Sequence, residues 1–100
     1  LKMNLQKLES LLPKQIKDLH INAEVGGEQV CKLWHEYANQ LFMARTMQNH
    51  EAINLREGVL TILVNSPEIA EEIQRQQHKI ISRINRSLGK PMVISVRFRS

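Results

Sequence analysis

Residues 58–100 read GVLTILVNSPEIAEEIQRQQHKIISRINRSLGKPMVISVRFRS, and this stretch decides the fold. It divides into strand, helix and strand. Val59-Leu60-Thr61-Ile62-Leu63-Val64 is apolar at five of six positions, the pattern of a central strand buried on both faces. Asn65-Ser66-Pro67-Glu68 stops it. Ser66 can cap a helix by accepting from an early backbone N–H, and Pro67 suits the first helical position, where its missing N–H costs nothing. Glu68, Glu71 and Glu72 lie where the helix dipole favours negative charge. The spacing predicts a helix to about Leu88. Ile69, Ile73, Gln77, Ile80, Ile84 and Leu88 share one face, and each buried Ile or Leu contributes roughly 1.5–3 kcal/mol. Gly89 and Pro91 end the helix. In the closing strand, Met92, Ile94, Val96 and Phe98 alternate with Val93, Ser95, Arg97 and Arg99, so one face turns cationic.

The polar side of the helix carries the functional signal. Arg75, Lys79, Arg83 and Arg86 fall on one stripe at about 100° per residue, roughly opposite the isoleucines. From Ile73 to Ser100 there are seven Lys/Arg (75, 79, 83, 86, 90, 97 and 99) and no Asp or Glu, a charge of +7. The rest of the chain carries seven Lys/Arg and ten Asp/Glu, a charge of −3. The net +4 is therefore polarised.

Working outward, one hundred residues suit a single domain, residues 1–100, with an N-terminal helical segment and connector over 1–27 and a core over 28–100. Leu5, Leu8, Leu12, Ile16 and Leu19 keep helical spacing, interrupted by Pro13, so this segment is two short helices or one kinked helix. Its leucine stripe suits the core or a partner protein. Gly26-Gly27 is the strongest break. Glu28 to Leu41 is expected to be a helix with Val30, Leu33, Trp34, Tyr37, Ala38 and Leu41 on its apolar face and Trp34 as a core anchor. Phe42 to Leu55 suggests a long or interrupted strand, with Gln48-Asn49-His50-Glu51 as a bulge or loop. Arg56-Glu57-Gly58 is a tight connection that pairs this strand antiparallel with the central one. The expected class is α+β: a small three-stranded sheet with helices packed on one face, order ααββαβ.

Several functions lack their residues. One cysteine, Cys31, allows no intrachain disulfide or cysteine zinc cluster. It lies among apolar neighbours, as a structural thiol does. His35-Glu36-Tyr37-Ala38-Asn39 resembles the zinc motif HExxH, but Asn39 replaces the second histidine. His20, His50 and His78 lack carboxylate or cysteine partners at useful spacing, and no phosphate-cradling glycine loop occurs. Asn85-Arg86-Ser87 fits a glycosylation sequon, but on a helix and with no secretion signal. No apolar run reaches membrane-spanning length. The expectation is a cytoplasmic, non-enzymatic protein with no metal, cofactor or small-molecule substrate.

The landmarks Trp34, Leu55-Arg56-Glu57-Gly58-Val59-Leu60-Thr61-Ile62, Ile80-Ile81-Ser82-Arg83-Ile84-Asn85-Arg86-Ser87-Leu88-Gly89 and Val93-Ile94-Ser95-Val96-Arg97-Phe98-Arg99 resemble the DciA family, bacterial proteins implicated in operating or loading the replicative helicase. The resemblance runs from about Val30 to Arg99. The chain departs from the family pattern at Asn39, where glycine is common, at Ile69, where a second tryptophan is common, and at Thr46-Met47-Gln48, where Thr-x-Pro is common. The resemblance implies a KH-like domain, a DnaB-type helicase as partner, and binding of single-stranded or fork DNA.

Charge geometry, not the resemblance, supplies the candidate nucleic-acid-binding residues: Arg75, Lys79, Arg83, Arg86, Lys90, Arg97 and Arg99. Whether helix and strand charges form one surface depends on packing. The bland alternative is a solvated helix face aided by Glu71–Arg75 at i, i+4. Trp34, Tyr37, Phe42 and Phe98 are the chain's aromatic residues, and most sit at core positions, so weak, sequence-tolerant binding is expected. No GxxG loop of the KH kind is present. A KH-like RNA-binding or ribosome-associated module and a purely protein-binding adaptor remain alternatives.

Overall fold

The computed structural model describes residues 26–100; the expected N-terminal leucine helices lie outside the described residues. Ser66 Oγ accepts from the Ile69 N–H at 3.3 Å, and Pro67 occupies the first turn. From this cap helix α3 runs over Pro67–Leu88. It ends at Gly89, whose left-handed backbone lets Gly89 and Lys90 donate to the carbonyls of Arg86 and Asn85. Before it come α1 (Gly27–Leu41), the single-turn helix α2 (Ala44–Met47) and strands β1 (His50–Arg56) and β2 (Val59–Val64); after it comes β3 (Ser95–Arg99). The sheet order is β1-β2-β3, with β1 antiparallel and β3 parallel to β2. The described fold is α+β in the order ααββαβ, and it is consistent with a KH-like arrangement.

Apolar periodicity explains the layers. Ile69, Ile73, Ile80 and Ile84 of α3 and Val30, Trp34 and Ala38 of α1 join Ala52, Leu55, Leu60, Ile62 and Val64 of the sheet in one core. Val96 and Phe98 pack against it from β3. Both long helices therefore cover the same sheet face. β2 is central, and every residue from Leu60 to Val64 is buried. Leu88 and Leu41 close their helices less deeply than their spacing suggests: Leu88 is half-buried and Leu41 exposed.

Two strand boundaries differ from the sequence reading. Met43 to Met47 is not strand: residues 44–47 make one helical turn. Thr46 is buried and its hydroxyl donates to Glu72 Oε1 at 2.8 Å, which ties α2 to the start of α3. These long-range bonds decide a segment whose local pattern is ambiguous. Of the bulge or loop expected at 48–51, Gln48 and Asn49 do form a turn, between α2 and β1, but the bulge lies further on. His50 and Glu51 are regular strand, and the register shifts between Ala52 and Asn54. The closing strand starts at Ser95, not Met92. Ile94 and Ser95 both donate to the Gly58 carbonyl, Val93 is buried and Ile94 is exposed, so alternation fails before Ser95. Asn85 holds this connector with two 2.9 Å bonds to the Val93 backbone, which also occupies the amide of the sequon.

A polar joint fixes α1 and α2 to the edge strand β1. Trp34 Nε1 donates to His50 Nε2 at 3.0 Å, which places the imidazole proton on Nδ1, 2.8 Å from the Thr46 carbonyl it donates to. The Ala52 N–H, on the open side of β1, donates to His35 Nε2 at 3.2 Å. Burial pushes His50 down to about 4 and also lowers His35, which Glu51 offsets only in part. Cys31 is buried, and its thiol is pushed up to about 12 by burial, with Glu51 and Glu28 adding to it. It is inert as a nucleophile.

Two predictions follow from these joints. The β1–β2 turn is Glu57-Gly58, with φ of 51° and 81°. A Cβ at Gly58 would lie 2.7 Å from Ile94 Cδ1 and 3.3 Å from Ile94 Cβ. The exposed δ-methyl can rotate away, and the Cβ contact asks the entry to β3 to shift by a few tenths of an ångström. Backbone strain then dominates, and Gly58→Ala is expected to cost about 1–3 kcal/mol in urea unfolding. Gly58→Asn, though larger, should cost less because asparagine tolerates this region; equal or greater loss in Asn would rule out backbone strain as the cause. His50 gives a pH dependence. Its pKa falls from 6.5 to about 4 on folding, so between these values the unfolded chain holds a proton that the folded chain refuses. The contribution is complete above pH 6.5 and is lost as pH falls towards 4, a drop of up to about 3 kcal/mol. Urea titrations at both ends of this window should show a smaller drop for His50→Gln; an unchanged drop would assign the effect to other groups.

Candidate nucleic-acid interface

The basic stripe follows from how α3 is anchored. Once the isoleucines are buried, the residues between them on the helical wheel must face outward. Arg75, Lys79, Arg83 and Arg86 are all exposed, as is Lys90 just past the helix end. At about 100° per residue, the stripe centres roughly a third of a turn from the isoleucine face, not diametrically opposite it. Its flank therefore borders α1. Arg83 Nη1 donates to Gln40 Oε1 at 2.8 Å, and its guanidinium lies 4.4 Å from the Tyr37 ring centroid. The Tyr37 hydroxyl meets the Ser87 hydroxyl in the same groove. These contacts orient Arg83 without cancelling its charge, since its partners are an amide and a π face.

No carboxylate among the described residues forms an ion pair with this stripe. Glu68 pairs with Arg45 at 3.1 Å across an exposed surface, and Glu72 accepts from Thr46. Such an exposed pair contributes little to stability. Two of the three acids at the start of α3 are thus directed to α2, and among the described residues none pairs with the cationic end. Glu71 and Arg75 make no ion pair despite their i, i+4 spacing.

Arg97 and Arg99 are exposed but lie elsewhere. They alternate with Val96 and Phe98, which face the helices, so they project from the opposite sheet face. The sheet separates them from the α3 stripe. There they line a depression of about 350 Å³ with Asn54, Arg56, Glu57, Val59 and Thr61. Of the seven residues expected from charge, the structure brings five together along α3 and its end, and places two on a second surface. Arg56 joins that second surface, and sequence reading missed it. Its signal was the β1 bulge: with simple alternation from buried Ala52, Arg56 would share the core face.

The aromatic residues offer no base-stacking platform. Trp34 and Phe42 are buried, Phe98 faces the core, and Tyr37 is covered by Arg83. What the stripe can do chemically is hold phosphates, by charge and by the forked donors of arginine. His35 is used as a backbone acceptor, and no group of three His, Cys, Asp or Glu among the described residues is arranged to hold a metal ion. No helix among them is long and apolar enough to cross a membrane.

Comparison with known proteins adds one match. The family model described as Dna[CI] antecedent, DciA matches residues 7–98, nearly the whole chain and further towards the N-terminus than the sequence landmarks reach. No curated protein matches.

Proposed function

Because the chain belongs to the DciA family, we propose that it is a non-enzymatic accessory of bacterial DNA replication that engages the DnaB-type replicative helicase and binds single-stranded or fork DNA through the exposed side of α3. Family membership supports the helicase as partner. One observation supports the DNA contact: a row of exposed cations, Arg75, Lys79, Arg83, Arg86 and Lys90, unopposed by any carboxylate in an ion pair among the described residues. The mechanism is electrostatic. Each cation replaces a condensed counterion on the strand, and release of those ions drives binding. Arg83, already oriented by Gln40 and Tyr37, loses less freedom on meeting a phosphate than an unconstrained side chain does. Without stacking platforms, the domain holds the strand by its backbone and tolerates any sequence. A helicase accessory needs that tolerance, because it meets arbitrary template. The work is done in the cytoplasm, where the replicative helicase acts.

About five phosphate contacts give a log–log salt slope of roughly −3 to −4 for single-stranded DNA. Changing Arg75, Arg83 and Arg86 together to Glu should abolish most binding to a labelled oligonucleotide while leaving capture of the helicase in a pull-down. Fork unwinding by the helicase, measured with and without this chain, should be stimulated by the native sequence and less so by the triple variant. Binding that is flat in salt, or a variant that binds and stimulates like the native chain, would reduce the stripe to a solvated helix face. Failure of the native chain to capture the helicase at high concentration would remove the partner from the reading.

A further inference from the structure

The cations on the outer sheet face form a site with its own geometry. Three cross-strand rows define it. Arg56 stands opposite Val59 and Val59 opposite Ser95; Asn54 opposite Thr61 and Thr61 opposite Arg97; Glu51 opposite Leu63 and Leu63 opposite Arg99, with Glu51 outside the trough's lining. Arg56 therefore rises from one edge strand, and Arg97 and Arg99 rise from the other. The small side chains of Val59 and Thr61 form the floor between them. Edge strands of a three-stranded sheet are about 9–10 Å apart, so the guanidiniums flank a trough across the central strand. Its volume is about 350 Å³. The lining carries three arginines and one acid, Glu57, a net charge of +2.

Two backbone devices build this trough. The register shift between Ala52 and Asn54 inserts one residue, so Leu55 turns to the core and Arg56 turns outward. The parallel pairing of β3 with β2 then sets Arg97 beside Thr61 and Arg99 beside Leu63. All three cations are arginine, whose planar fork matches phosphate oxygens two at a time. The floor offers a threonine hydroxyl and no aromatic face, which suits a sugar-phosphate backbone and not a base. It also lacks the deep apolar pocket that anchors a protein partner.

We propose that this outer sheet face is a second phosphate-binding surface for single-stranded nucleic acid, formed by Arg56, Arg97 and Arg99, so that one domain holds two strand segments, one on each side. The proposal rests on the α3 stripe being the first nucleic-acid surface. A protein that grips two segments fits a fork, where two single strands diverge.

The test compares the native chain with two variants: the sheet-face set Arg56→Gln, Arg97→Gln and Arg99→Gln, and the α3 set Arg75→Glu, Arg83→Glu and Arg86→Glu. A third protein, with Lys at positions 56, 97 and 99, keeps the charge and controls for folding, alongside circular dichroism of each. Binding to fluorescent oligothymidylate is titrated over salt. An oligothymidylate that reaches both surfaces should give a slope steeper by about 2 than the α3 stripe alone; the sheet-face Gln set should remove that increment and weaken binding about 100-fold at 0.1 M salt, if the curves converge near 1 M. The Lys set should restore most of it. Donor- and acceptor-labelled oligothymidylates mixed with the native chain should show energy transfer, which each variant set loses. Unchanged slope and affinity in the sheet-face Gln set overturns the proposal, as does a reduced slope with no energy transfer in the native chain, which would make both faces one track. Retained oligonucleotide binding with lost helicase capture would reassign the trough to an acidic protein surface and overturn it. If the α3 set binds normally and the sheet-face set does not, the trough is a single strand-binding surface, and the two-segment proposal falls together with the α3 reading.

Discussion

Burial of the isoleucine face of α3 against the central strand is the contact from which the rest of the molecule is arranged. Ile69, Ile73, Ile80 and Ile84 are at most 1% exposed, and they meet Leu60, Ile62 and Val64 across the helix–sheet interface. Four such side chains contribute on the order of 6–12 kcal/mol by area burial, comparable to the whole net stability of a small domain. Packing of this kind fixes the rotation of the helix about its axis as well as its position. Once the isoleucines are locked inward, the direction of every other residue on α3 is settled, including the arginines. The helix also delivers β3 to the far side of β2, so the same contact sets the sheet order.

Where apolar periodicity stops being sufficient, specific polar joints take over. α1 has to be held against an edge strand that presents unpaired backbone groups. His35 satisfies the Ala52 N–H there, and the Trp34–His50–Thr46 chain fastens α1 and the turn of α2 to the start of β1. Phe42 closes on the same imidazole, edge to face at 6.1 Å between ring centroids. This joint is satisfied only by neutral His50, because Nε2 must accept while Nδ1 donates. At the other end of the molecule, the Gly58 carbonyl takes the N–H groups of both Ile94 and Ser95. The tight turn and the entry to β3 are therefore one structure, and a side chain at position 58 disturbs both.

Charge in this chain is separated by architecture. Acids cluster at the start of α3, where Glu68 and Glu72 are directed to α2, and cations occupy its length and its end. The helix dipole favours both placements. The sheet then divides the cations into two groups: a row along α3, and a trio around a trough on the opposite face. Neither group has aromatic side chains positioned to stack bases, which suits a protein that holds nucleic acid by its backbone. The chain belongs to the DciA family, and the proposed role at the replicative helicase would give this charge its setting.

The sequence by itself determined the elements whose signal is local and redundant. Ser66, Pro67 and Gly89 bound α3 at the residues expected of them, the five apolar positions of 59–64 made β2 central, and the acid-free end marked the cationic surface. Cap, period and composition agreed at each of these, so no distant contact was needed to choose between conformations. Only the tertiary structure decided the rest. Met43 to Met47 could extend or coil until Thr46 met Glu72 and His50. The bulge at Ala52–Asn54 arises because Ala52 and Leu55, three residues apart, both face the core opposite Ile62 and Leu60, which turns Arg56 outward. That one-residue shift places Arg56 beside Arg97 and Arg99, and parallel pairing with β2 turns those two away from α3. A strand's side chains change face with each residue of register, and register is set by contacts far apart in the chain. The number of cations was therefore legible in the sequence, and their division between two faces was not.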